Sequence, residues 1–177
     1  MRISPGDYKK RKRGVWALLV AIVVGLTGGL LIRKYLFFTA VVTLRSMEPT
    51  LLPGDRLLVE RIGPNSYLRN GEIIVLEDPL RKGETIIKRL IAQGDSWVAI
   101  YRGIVFLNGQ PLYEPYIKEP PIYVLPPVYV PPGYIFVLGD NRNNSEDSSD
   151  YGPVRRDLVK GVVVAIIWPL KRIRSFY

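Results

Sequence analysis

The chain has 177 residues, with 25 lysines and arginines against 16 aspartates and glutamates, a net charge of +9, and neither histidine nor cysteine. Without those two residue types a disulfide framework, a thiol nucleophile, an imidazole base and the usual ligands for zinc, copper and haem are all excluded. Length sets one further bound: beyond an apolar N-terminal stretch about 140 residues remain, the size of one globular domain with a single core.

In chain order, the first feature is the basic segment 1–14, which carries Lys9-Lys10-Arg11-Lys12-Arg13. An uncharged run from Val15 to Ile32 follows, close to the roughly 20 residues a helix needs to cross a bilayer. Residues 15–34 are therefore expected to form one transmembrane anchor. The cationic excess before it predicts a cytoplasmic N-terminus and an extracytoplasmic remainder, 35–177. A cleavable secretory signal fits less well, because the apolar run exceeds the roughly 7 to 15 residues of a signal core and no small-x-small site closes it. The same basic cluster accounts for much of the net charge through topology and anionic headgroups, so nucleic acid is not expected as a partner.

Beyond residue 40 the pattern is β. Strands are expected at Ala40–Leu44, Arg56–Arg61, Glu72–Leu76, Thr85–Ile91, Trp97–Tyr101, Ile104–Leu107, Tyr134–Leu138 and Val162–Ile167, most of them short, apolar or aromatic, and bounded by Gly, Pro, Asn or Asp. Asn108-Gly109 supplies the two positive φ angles of a type I′ hairpin turn. The proline-rich and tyrosine-rich stretch 111–132 cannot supply central strands, since proline removes ladder donors, and is read as an extended excursion or edge ribbon. No sustained helical period follows the anchor, and no acidic loop has calcium-hand spacing. The fold expected is a mostly β domain of short antiparallel sheets, with no metal and no cofactor.

The chemistry concentrates in Arg45-Ser46-Met47-Glu48-Pro49-Thr50-Leu51. If Ser46 is a nucleophile, its base must be something other than histidine, and a lysine serves only if its ammonium is made unusually acidic. Lys88, within Ile86-Ile87-Lys88-Arg89-Leu90-Ile91, has apolar neighbours and is the best placed to be buried, and burial lowers a lysine pKa. From the pattern alone an outward-facing, solvated Lys88 and a plain turn serine at Ser46 remain equally open readings.

Taken together, Ser46-Met47-x-Pro49-Thr50-Leu51, Gly54-Asp55, Gly71–Leu76, Lys88-Arg89-Leu90-Ile91 and Gly139-Asp140-Asn141-Arg142-x-x-Ser145-x-Asp147-Ser148 resemble the ordered boxes of the type I signal peptidases. These are membrane-bound serine/lysine endopeptidases that cut signal peptides from exported preproteins after small-x-small sites such as Ala-x-Ala. The resemblance implies a Ser46 nucleophile, a neutral Lys88 general base, Ser145 orienting the lysine amine, and oxyanion stabilisation by the Ser46 backbone N–H. It implies a bracing role for Asp140, Asn141, Arg142 and Asp147. Preproteins would be the substrates and the lipid bilayer a partner, with the chain in the cell membrane or facing an organellar lumen. The signal peptide is expected to pair with Ala40–Leu44 and with the strand containing Ile86. Val42, Leu44, Met47 and Ile86 are the expected lining of its small pockets. Trp97 and Tyr101 face either the lipid interface or the core.

Three positions depart from the family pattern. Ser149 stands where the family has arginine, so a supporting ion pair is either missing from the loop or supplied from elsewhere, by Arg155 or Arg156. Leu44 replaces a small residue two before the nucleophile, and Ala92-Gln93-Gly94-Asp95 is shorter than the family turn and lacks its proline. Two other readings stay open at this point: a serine/lysine protease dedicated to one substrate, and an inactive membrane-anchored β scaffold.

Overall fold

The computed structural model describes residues 16, 18–29, 35–63 and 66–176. The chain divides into two compact units, Met1–Phe37 and Phe38–Tyr177. In the first, 18–29 are helical, and among the described residues no helix is long and apolar enough to cross a membrane. The basic segment 1–14 and the rest of the expected anchor, Val15, Ala17 and 30–34, lie outside the described residues.

The remainder is mostly β. Its strands are β1 (Phe37–Val41), β2 (Arg56–Arg61), β3 (Ile73–Glu77), β4 (Thr85–Gln93), β5 (Ser96–Tyr101), β6 (Ile104–Leu107), β7 (Gln110–Pro111), β8 (Leu125–Val130), β9 (Tyr134–Leu138), β10 (Val154–Arg155), β11 (Val159–Trp168) and β12 (Arg174–Ser175). One sheet runs β1-β2-β11-β3-β4-β9-β10 with β12 beside β11; the other runs β7-β6-β5-β8. The ladders from β2 onward are antiparallel.

The apolar runs explain the strand positions. Ile73-Ile74-Val75-Leu76 is buried throughout, as an interior strand requires, and packs into two core clusters through alternate residues. Along β5, Val98 and Ile100 enter a third cluster while Trp97 and Tyr101 point outward, so the period-two pattern decides against a core role for these two aromatics. Register shifts within β11 and at Leu90/Ala92 of β4 add the bends that curl a sheet. Asn108 and Gly109 both have positive φ and close the β6–β7 hairpin, as their order predicts.

One expectation needs correction. The strand expected at Ala40–Leu44 ends at Val41, because Val42 leaves the ladder to bond the Gly54-Asp55 turn: its N–H donates to the Asp55 carbonyl at 2.9 Å and its carbonyl accepts from the Gly54 N–H at 2.8 Å. The proline-rich stretch supplies an edge strand, β8, with Pro126 and Pro127 inside it, in keeping with the edge ribbon expected there. Its ladder to β5 skips at the prolines, where two donors are missing.

Candidate active site

Ser46 begins a turn pinned from below. The Leu51 N–H donates to the Met47 carbonyl at 2.9 Å, and the Met47 and Leu51 side chains are both buried in the first core cluster. Burying two such side chains contributes about 1.5–3 kcal/mol each, which fixes the loop and leaves Ser46 part-exposed above it.

Lys88 lies on β4 opposite Ile74 of β3, with Ile87 packed on one core cluster and Leu90 inside another. It is 3% exposed. Burial pushes its ammonium below the ordinary lysine range, and the carboxylates of Asp147, Glu146, Asp150 and Asp78 partly oppose that shift. Its Nζ is 2.7 Å from Ser145 Oγ. Ser46, Lys88 and Ser145 line one cleft of about 540 Å³. The structure thus brings together all three residues that the sequence singles out for chemistry.

Gly139 holds the Ser145 and Ser46 segments together by having no side chain: an added Cβ would lie 2.3 Å from Ser145 Oγ and 2.5 Å from the Ser46 carbonyl oxygen. That carbonyl accepts from the Asn141 N–H at 3.0 Å, and the Asn141 side-chain amide donates to the Arg45 carbonyl at 3.1 Å. Asp140 is fully buried and takes two hydrogen bonds from Arg89, at 2.7 and 2.6 Å, plus one from the Thr50 hydroxyl. Arg142 donates to the Gly139 carbonyl and makes a two-pronged pair with Glu114, both bonds at 2.7 Å. Asp147 accepts from the Gly139 N–H at 2.8 Å and caps the one-turn helix Ser148–Tyr151. Asn141 and Asp140 thus tie the Ser145 loop to the Ser46 turn, while Arg142 and Asp147 brace the loop itself.

A second, smaller pocket of about 50 Å³ is lined by Val41, Val42, Thr43, Leu44, Ser46, Met47, Thr85, Ile86, Ile87 and Lys88. All four side chains expected around the substrate pockets therefore meet there. Val42 and Met47 are buried in its floor, whereas Leu44 stands 64% exposed at the rim. The β9 ladder on β4 begins at Arg89, so the outer edge of Thr85–Lys88 has no strand partner among the described residues.

Of the two outcomes open at Ser149, the ion pair is missing and neither arginine supplies it. Arg155 pairs with Asp157, and Arg156 donates to the Ser66 carbonyl. Ser149 serves Asp147 itself, through its N–H at 3.1 Å and its hydroxyl at 2.8 Å. Arg89, Thr50 and Glu114 are site-bracing residues that the sequence reasoning missed. The signal for Arg89 was present: neighbours on a strand face opposite sides, so a Lys-Arg pair in an apolar strand buries two charges, and the second needs a carboxylate partner. Among the described residues no cluster of three or more His, Cys, Asp or Glu could hold a metal ion.

Comparison with known proteins shows the family. The family model for signal peptidase, peptidase S26, matches residues 13–168. The chain is 38% identical over 176 residues to probable signal peptidase I-1 of Synechocystis sp., covering 95% of this chain and 88% of that protein. It is 40% identical over 150 residues to signal peptidase I of Leptolyngbya laminosa, covering 80% and 74%. With thylakoidal processing peptidase 1, chloroplastic, of Arabidopsis thaliana it shares 33% over 166 residues, 86% of this chain and 48% of that protein.

Proposed function

Because the chain belongs to the signal peptidase family, peptidase S26, and is an endopeptidase that removes signal peptides, we propose that Ser46 is its nucleophile and Lys88 its general base. The observation that carries this reading is the buried Lys88 amine, held 2.7 Å from Ser145 Oγ in the cleft it shares with Ser46. A lysine in that setting sheds its proton at a pH where a solvated one would not.

The chemistry follows from the arrangement. Neutral Lys88 takes the Ser46 hydroxyl proton as Oγ attacks the scissile carbonyl, and Ser145 accepts from the amine and fixes its direction. The lysine then gives that proton to the departing amine, leaving an acyl ester on Ser46. Water, deprotonated by the same amine, breaks the ester. The Ser46 backbone N–H stabilises the tetrahedral oxyanion; one such donor is worth roughly two orders of magnitude or more in rate.

Substrate selection rests on the free edge of Thr85–Lys88 and the extended segment 41–44, between which a signal-peptide segment lies as an added strand. The pocket beside Ser46 is small, about 50 Å³. That favours small residues next to the cut.

Signal peptidases of this type are membrane-associated. The apolar run Val15–Ile32 is the candidate single anchor, with the basic segment on the cytoplasmic side. Anchoring confines enzyme and membrane-bound substrate to one thin layer and raises their effective concentration.

The test is cleavage of a preprotein with an Ala-x-Ala site by the detergent-solubilised chain, against Ser46→Ala and Lys88→Ala. Cleavage after the second alanine, lost in both variants while each stays folded, is the expected result. Full activity in either variant would remove that residue from the mechanism. Replacing the alanine before the cut with valine should suppress cleavage, and efficient cleavage of the valine substrate would count against the small pocket.

A further inference from the structure

Arg81 lies in the turn between β3 and β4 and reaches two carboxylates at once: Nη1 is 3.0 Å from Asp78 Oδ2, and Nη2 is 2.8 Å from Glu146 Oε2. Asp78 is held by the Leu80 and Arg81 N–H groups, and its side chain is only 4% exposed, so water screens its charge poorly. Glu146 directly follows Ser145, the residue that holds the Lys88 amine. Asp78, Arg81 and Glu146 line the same cleft as Ser46 and Lys88.

The charges facing Lys88 are unevenly matched. Asp147 and Asp150 belong to the capping box of the short helix and are occupied by backbone N–H groups, with the Ser149 hydroxyl also on Asp147. On β4 itself the adjacent cation, Arg89, is committed to Asp140. On the cleft rim Arg45 pairs with Glu48 at 3.8 Å, and Glu84 and the Tyr151 phenol complete the titratable lining. Asp78 and Glu146 are the two carboxylates on which Arg81 acts directly.

We propose that Arg81 is a positioning residue for the catalytic base: it ties the β3–β4 turn to the Ser145 loop and neutralises two carboxylates that face Lys88. This rests on the reading of Lys88 as the general base. Without Arg81 the two bare carboxylates hold the lysine as an ammonium, and the neutral amine becomes scarcer at any given pH. For one charge at roughly 10 Å in a partly screened site, the displacement is about half a pH unit to one unit. Below the midpoint that is a roughly three- to tenfold slower acylation.

The experiment is the pH profile of single-turnover preprotein cleavage by the full, detergent-solubilised chain. In wild type the rate should rise with pH through the Lys88 transition. Arg81→Ala should move that limb to higher pH by about half a unit or more. Adding Asp78→Asn or Glu146→Gln to Arg81→Ala should bring it back, because each removes a charge while keeping an oxygen acceptor. Glu146→Gln alone, in a chain that keeps Arg81, should move the limb the other way. A lower rate at every pH with an unmoved midpoint, unrescued by the neutral partners, would reduce Arg81 to a structural latch and overturn the proposal. An Arg81→Ala profile superimposable on wild type would overturn it as well. A wild-type profile with no rising limb would remove Lys88 as base and this inference with it.

Discussion

Gly139 offers a sharp test of the site geometry, because its substitution by alanine adds one carbon where there is no room. That carbon would lie 2.3 Å from Ser145 Oγ, 2.6 Å from Ser145 Cβ and 2.5 Å from the Ser46 carbonyl oxygen, whereas ordinary contact begins at 3.4 Å. Each neighbour must therefore retreat by about 1 Å. Ser145 cannot do so without shifting the Lys88 amine it holds, and the Ser46 carbonyl cannot do so alone, since the Asn141 N–H is bonded to it. Overpacking of this kind costs about 1–3 kcal/mol of stability. Misplacing a reacting group by about 1 Å costs roughly a hundredfold in rate. Gly139→Ala should thus fold with a lowered Tm and lose about a hundredfold in kcat, while KM stays near wild type because neither Thr85–Ile86 nor segment 41–44 is touched. Preprotein cleavage at saturating substrate, corrected for the folded fraction by circular dichroism, measures this. Gly94→Ala is the control: its Cβ would meet Pro132 Cα at 2.8 Å, away from the cleft, so it should lose stability without a comparable loss of kcat. A folded Gly139→Ala with kcat within about threefold of wild type would refute the account of how Ser46 and Ser145 are held.

Three further outcomes are expected. Lys88→Met should abolish cleavage, by about 10⁴-fold or more, yet stabilise the fold at neutral pH. In wild type the folded-state pKa of Lys88 is depressed, so burying its charge penalises the fold below that pKa, and the penalty is relieved as pH rises toward the unfolded value. The advantage of Lys88→Met in urea unfolding should therefore shrink with rising pH, and an advantage that grew would contradict the assigned direction. Glu114→Gln strands the Arg142 charge, since the two side chains are 6% and 0% exposed, and should cost about 3–5 kcal/mol in the same assay. Arg155→Ala, whose pair with Asp157 stands in solvent, should leave the midpoint unchanged; equal effects of the two substitutions would mean that burial does not decide these pairs. Tyr151→Phe removes a buried hydroxyl that finds no hydrogen-bond partner among the described residues and should gain about 1 kcal/mol, whereas a loss would reveal a partner for that hydroxyl.

What could be read from the chain alone follows the range of the forces involved. Strands β2, β6 and β9 have the bounds expected of them, because local pattern and tertiary burial agree there. Pro126 and Pro127 limited 111–132 to a sheet edge, which is where β8 lies, but left its bounds open because proline interrupts the apolar alternation that marks a strand. The chemical residues were legible because each sits in a short motif. The bracing residues of the last motif were legible too, but their partners were not, since Arg89 meets Asp140, Arg142 meets Glu114 and Arg81 meets Glu146 only after the sheets have curled. Ser149 makes the point most clearly. Read as a missing cation, it left open either a lost ion pair or help from a distant arginine, but a buried carboxylate needs donors rather than a formal charge. The Ser149 N–H and hydroxyl, with the Gly139 N–H, supply three to Asp147 from within the loop. With serine there is no cation at that position of the loop, so charge balance near the base falls to Arg81, a residue in no motif that lines the cleft and reaches the loop through Glu146.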